Sequence, residues 1–226
     1  MDSRIILIAV TGIILQAAFI MVEHKEKYVL ADILKGLASL MFVIIGLIGY
    51  KQFTTDSFGL KIVIGLLFGL IGDILLNLRF VFEKIGQKIF LVGILAFLIG
   101  HILYLLALIP IAVNLLLCVA IGALLAGLLL AYIFKTMEVK KAFKIFGVFY
   151  LGAVIIMTVI AIGIALSTGI RHDVIYAIGA ILFTASDIVL IFNTFSGTTK
   201  FSLRITNLSL YYIGQLLIAF SLFFIR

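Results

Sequence analysis

The stretch FGLKIVIGLLFGLIGDILLNL, residues 58–78, has a lysine near its start, an aspartate near its end and only apolar residues or glycine between them. A run of this length matches a helix that crosses a hydrocarbon core, which takes about 20 residues at a rise of 1.5 Å each. Moving outward, seven more runs of the same kind occupy 4–22, 31–50, 88–108, 112–134, 143–166, 174–195 and 204–225. They are continuous rather than alternating, which favours helices over barrel strands. Charge clusters break them at EHKEK (23–27), KQFTTDS (51–57), RFVFEKIGQK (79–88) and KTMEVKKAFK (135–144), and turn formers break them at STGIRHD (167–173) and FSGTTK (195–200). No charged residue lies between Lys88 and Lys135, a distance too long for one span. The only proline, Pro110, with Asn114 close behind it, predicts a tight hairpin there.

Composition agrees. Of 226 residues 65% are hydrophobic and 12% are charged, where a soluble domain carries about a quarter charged residues. The chain reads as an all-α, polytopic bundle of eight transmembrane helices, a single domain over 1–226. A net charge of +7 in water would raise the question of nucleic acid. Here the basic residues sit in short gaps between spans, where topology and anionic headgroups account for them. Cys118 is alone, so no internal disulfide forms, and without tryptophan the interfacial belt falls to Tyr and Phe. The first run has no small-x-small cleavage site before Glu23 and is read as a retained helix rather than a signal peptide. With eight spans, the side holding the termini carries five basic residues (Arg4, Lys51, Lys61, Arg171, Arg226) and the other side twelve. The odd-numbered loops are therefore expected in the cytoplasm and both termini on the non-cytoplasmic side.

A weak internal likeness accompanies this pattern. GLLFGLIGDILL (65–76) and GAILFTASDIVL (179–190) share a glycine eight residues before an aspartate, a small residue just before it and isoleucine just after. His101 follows Asp73 by 28 residues, and Gln215 follows Asp187 by 28. One reading is two four-helix units in tandem, 1–110 and 111–226, in parallel orientation about an axis along the membrane normal. The plainer one is that low-complexity apolar sequence matches itself easily.

Asp73 and Asp187 are the acidic residues lying a turn or more inside a span. An aspartate at a helix centre costs about 2.5–3.5 kcal/mol on insertion scales. Two carboxyls brought together in lipid tend to leave one protonated acid and one carboxylate, the equipment for general acid–base chemistry. Each has a plainer role as a bond to a neighbouring helix. Helical spacing adds Asn77 one turn from Asp73, His101 with Tyr104, and Tyr211 and Tyr212 just before Gln215. Ser186 adjoins Asp187, and Tyr150 and Lys35 fall in neighbouring spans. Singly, Asn77, Tyr104 and Lys35 read as structural or snorkelling residues. Together the set predicts a polar cavity open towards the odd loops. His24, His101 and His172 fall in a loop, a span and the opposite loop, so no three-histidine metal site is expected. Phosphate-loop, G-x-S-x-G and HExxH patterns are absent.

At these residues the chain resembles the YhhN family of lysoplasmalogenase-like membrane proteins. The likeness runs from the second span onward through GLLFGLIGDILLN, FLVGILAFLIGHILYLLAL, GAILFTASDIVLIFNTF and LSLYYIGQLLIAFSLF. The family pattern has proline after the second-span lysine, whereas here Gly36 follows Lys35. The resemblance implies a site at Lys35, Asp73, His101, Tyr104, Tyr150, Ser186, Asp187, Tyr212 and Gln215. It implies hydrolysis of the vinyl ether bond of lysoplasmalogens to a fatty aldehyde and a glycerophospho-headgroup, with no metal or organic cofactor. The expected partners are a lysophospholipid substrate and membrane lipids. Without the resemblance, a small transporter or proton-coupled carrier fits the paired carboxylates as well, and a non-catalytic lipid-binding protein remains a third reading.

Overall fold

Within lipid every backbone N–H and C=O must be satisfied inside the protein, so a chain this apolar folds as helices. The computed structural model describes residues 3–197 and 199–225; Arg226, one of the basic residues counted above, lies outside them. Among the described residues eight helices are long and apolar enough to span a membrane. They are α1 (Ser3–His24), α2 (Tyr28–Gly49), α3 (Ser57–Leu78), α4 (Gly86–Leu108), α5 (Leu115–Thr136), α6 (Lys141–Thr168), α7 (Arg171–Phe195) and α8 (Phe201–Ser221). Each expected run coincides with one helix to within a few residues at either end. Several helices extend past the apolar limit, as at Lys141 and Arg171, because intrahelical hydrogen bonds continue into the headgroup region where polar side chains are tolerated.

Local chemistry fixes the ends. Asp56 caps α3, accepting the Gly59 N–H at 2.8 Å and a bond from the Thr54 hydroxyl. Pro110 sits in a short 3-10 turn after α4. Asn114 then takes the left-handed conformation, φ 53°, from which α5 starts. Gly169, φ 62°, closes α6. At Gly36, where the resemblance placed proline, α2 runs on unbroken, and a methyl there would press on Ile74.

Consecutive helices pack together along the chain within each half, and α4–α6 and α2–α8 join the halves. Lipid offers no hydrophobic drive for this, so close backbone approach through small residues supplies it. An ideal Cβ on Gly100 would stand 3.0 Å from the Gly65 carbonyl oxygen, and one on Gly214 would stand 2.8 Å from that of Gly179. These two crossings, α3 on α4 and α7 on α8, occupy the positions that align when Asp73 is placed on Asp187. Leu116 and Leu166, 86% and 83% exposed, face outward as lipid contacts do. α8 is the least apolar span yet the most enclosed, because Asn207, Tyr211, Tyr212 and Gln215 all turn inward.

Candidate active site

Asp73 lies where α2, α3 and α8 meet. Lys35 of α2 brings its Nζ to 3.2 Å from Oδ1, with both side chains 3% exposed. Ser39, one turn along α2, donates to Oδ2 at 2.6 Å, and Tyr211 of α8 donates to the same oxygen at 2.6 Å. The carboxylate is thus held by one cation and two hydroxyls. Behind it, Tyr212 donates to the Lys35 carbonyl at 3.2 Å and lies 3.1 Å from the Ser39 hydroxyl. A chain of hydrogen bonds also runs back from α4: Tyr104 donates to Gln215 Oε1 at 3.3 Å, and Gln215 Nε2 donates to the Tyr211 oxygen at 3.4 Å.

One face of α3 makes room for this. A methyl at Gly65 would run into the Tyr104 ring, one at Gly69 would stand 2.7 Å from Gln215 Nε2, and one at Gly72 would stand 2.6 Å from the Phe97 ring. The glycines around Asp73 are therefore sockets for side chains from α4 and α8.

Asp187 of α7 is held differently. Tyr150 of α6 donates to its Oδ2 at 2.7 Å, and among the described residues no cation is paired with it. The two aspartates, one carrying three partners and one carrying one, line the same cavity together with Lys35, Tyr150 and Tyr211. Counting its open mouth, the cavity holds about 1000 Å³ of empty space. Apolar side chains make most of its wall, among them Phe97 of α4, Leu130 and Ile133 of α5, Leu151 of α6 and Ile191 of α7. Its mouth lies on the odd-loop side, where Phe90, Phe143 and Phe195 form a row of mutually tilted rings with centroids 5.3 and 5.9 Å apart. Arg204 and Asn207 of α8 line it there. Arg204 makes a double hydrogen bond to Glu23 of α1, at 2.6 and 2.9 Å, and Asn207 donates to the Ser186 carbonyl at 2.8 Å.

The other expected residues fall outside the cavity wall. Tyr104, Tyr212 and Gln215 stand behind Asp73. His101 is buried, with Nδ1 2.7 Å from the Phe97 carbonyl; that oxygen only accepts, so Nδ1 carries the hydrogen. Among the described residues its Nε2 has no hydrogen-bond partner, and its ring lies tilted against Phe183 and meets the edge of Tyr150. The Asn77 side chain and the Ser186 hydroxyl are buried without a hydrogen-bond partner among the described residues. Ser39, Arg204 and Asn207 are among the cavity and support residues not singled out from the sequence. Ser39 stands four residues after Lys35 and Asn207 four before Tyr211, so the same one-turn spacing that selected the others points to both. Among the described residues no cluster of three or more His, Cys, Asp or Glu could hold a metal ion.

No curated protein and no solved structure matches the chain. The model of the YhhN family matches residues 30–222, a stretch that contains both aspartates and the whole cavity wall. The chain belongs to the YhhN family.

Proposed function

We propose that the protein hydrolyses the vinyl ether bond of lysoplasmalogen-type lysophospholipids within the membrane, with Asp187 as the acid and Asp73 as the base. The observation that carries this reading is the unequal pair of carboxyls on one cavity wall. Asp73, beside Lys35 and bonded by Ser39 and Tyr211, is equipped to remain a carboxylate. Among the described residues Asp187 has a single hydroxyl donor and no paired cation, which leaves its second oxygen to carry a proton.

A vinyl ether reacts when its β-carbon is protonated. Asp187 gives that proton, and the chain becomes an oxocarbenium ion. The Asp73 carboxylate offsets the positive charge and takes a proton from the water that adds to the cation, giving a hemiacetal. The hemiacetal collapses to an aldehyde and a free glycerol hydroxyl. One water is consumed, and the proton taken up by Asp73 is returned for the next cycle. The apolar wall suits a single hydrocarbon chain, and Arg204 at the mouth suits the phosphate.

A proton-coupled carrier is the second reading, favoured by the matching glycine crossings in the two halves. Those same crossings lie on the far side of the aspartates from the cavity mouth. A carrier caught in one of its states is also open to one side, so aldehyde release is what separates the two readings.

Aldehyde release from lysoplasmalogen by the purified protein in detergent tests the proposal. Asp187→Asn and Asp73→Asn should each lower turnover by about a hundredfold or more. Wild type that releases no aldehyde ends the reading for this substrate. Full activity in both variants ends the acid–base assignment.

A further inference from the structure

Glycine in a membrane helix ordinarily marks close contact with another helix. Two glycines between α5 and α6 behave in this way: a methyl at Gly122 would stand 2.9 Å from the Ile156 Cα, and one at Gly163 would stand 2.7 Å from the Cys118 sulfur. Gly147 of α6 does not. It lines the cavity, and a methyl there would meet nothing within 4 Å. A glycine also weakens a helix relative to alanine, so packing does not account for it. What its missing side chain leaves is room inside the cavity, between Phe143 and Leu151 of its own helix, in a wall that Leu130 and Ile133 of α5 also line.

We propose that Gly147 sets the length of hydrocarbon chain the cavity admits. A ligand with its polar linkage at Asp73 and Asp187 directs its chain along the apolar wall, and Gly147 is the position at which added bulk shortens that space. The ligand class is a single-chain amphiphile. This inference rests on the proposed lipid substrate for its chemistry, and its test is made by binding alone.

The structure supplies its own control. Gly152 lies five residues further along α6, and a methyl there also meets nothing within 4 Å, yet it is not part of the cavity wall. Phenylalanine at either site adds the same bulk to the same helix. The probes are lysophosphocholines bearing a saturated alkyl ether, decyl through hexadecyl, which lack the vinyl bond and do not turn over. Binding is read by native mass spectrometry of the detergent-purified protein. Gly147→Phe should weaken hexadecyl relative to decyl binding by about tenfold or more, as an apolar pocket does when a chain no longer fits. Gly152→Phe should leave that ratio unchanged. Gly147→Ala and Gly147→Leu give smaller graded steps and keep the test available if the phenylalanine variant does not fold. An unchanged ratio across the Gly147 series, or an equal shift in Gly152→Phe, overturns the proposal. A chain-length shift in a protein that releases no aldehyde overturns the hydrolase reading alone.

Discussion

Lys35 and Asp73 are each almost fully enclosed, and each is acceptable there because of the other. Removing one partner of a buried pair leaves an uncompensated charge, which costs about 3–5 kcal/mol. Lys35→Met should therefore destabilise the protein by that amount in detergent unfolding, and Lys35→Met with Asp73→Asn should recover most of the loss. A double variant as unstable as the single one would show that the two are not coupled. The aspartates were legible in the sequence because a charge within an apolar run is conspicuous. Their unequal surroundings were not. Ser39 looks like any serine in a membrane helix, and the Tyr104–Gln215–Tyr211 chain joins α4 to α8, a contact that no local spacing reveals. Asn77 shares a helical face with Asp73, yet the cavity passes it by: Asp73 and Leu76 line it from α3, and Asn77 does not.

At the scale of elements, the spans were legible because lipid imposes one length and one composition on all of them. Pro110 and Asn114 located the one turn without charge. How the helices fit was less visible, since a glycine can serve three ends here. It seats a side chain at Gly69 and Gly72, brings two backbones together at Gly179, and leaves cavity space at Gly147. Sequence alone does not separate these roles, but substitution does. A Cβ at Gly179 would stand 2.8 Å from the Gly214 carbonyl oxygen and 3.0 Å from the Ile218 amide nitrogen, both backbone atoms that move only if α8 moves. Gly179→Ala should lower stability by about 1–3 kcal/mol through overpacking. Gly147→Ala should leave stability unchanged or raise it slightly. Equal effects of the two in thermal unfolding would contradict the distinction between a crossing glycine and a space-keeping one.

At the scale of the whole molecule, the distribution of charge bears on which membrane face the cavity serves. Its mouth is built from the odd-loop ends of α4, α5, α6, α7 and α8, the side carrying twelve of the seventeen lysines and arginines. Positive charge in short loops is retained in the cytoplasm, so that mouth should open to the cytoplasmic leaflet. A lysolipid from that leaflet would then bring its phosphate towards Arg204 while its chain stays in the apolar wall, without crossing the bilayer. The orientation is tested by fusing reporters to the C-terminus: alkaline phosphatase should be active there and green fluorescent protein dark. Glu138→Cys, in the turn between α5 and α6 beside the mouth, should react with an impermeant thiol reagent only after the membrane is opened, the native Cys118 being buried. A fluorescent C-terminal fusion, or Glu138→Cys labelled in intact cells, would place the mouth on the opposite face and make the outer leaflet the source of substrate.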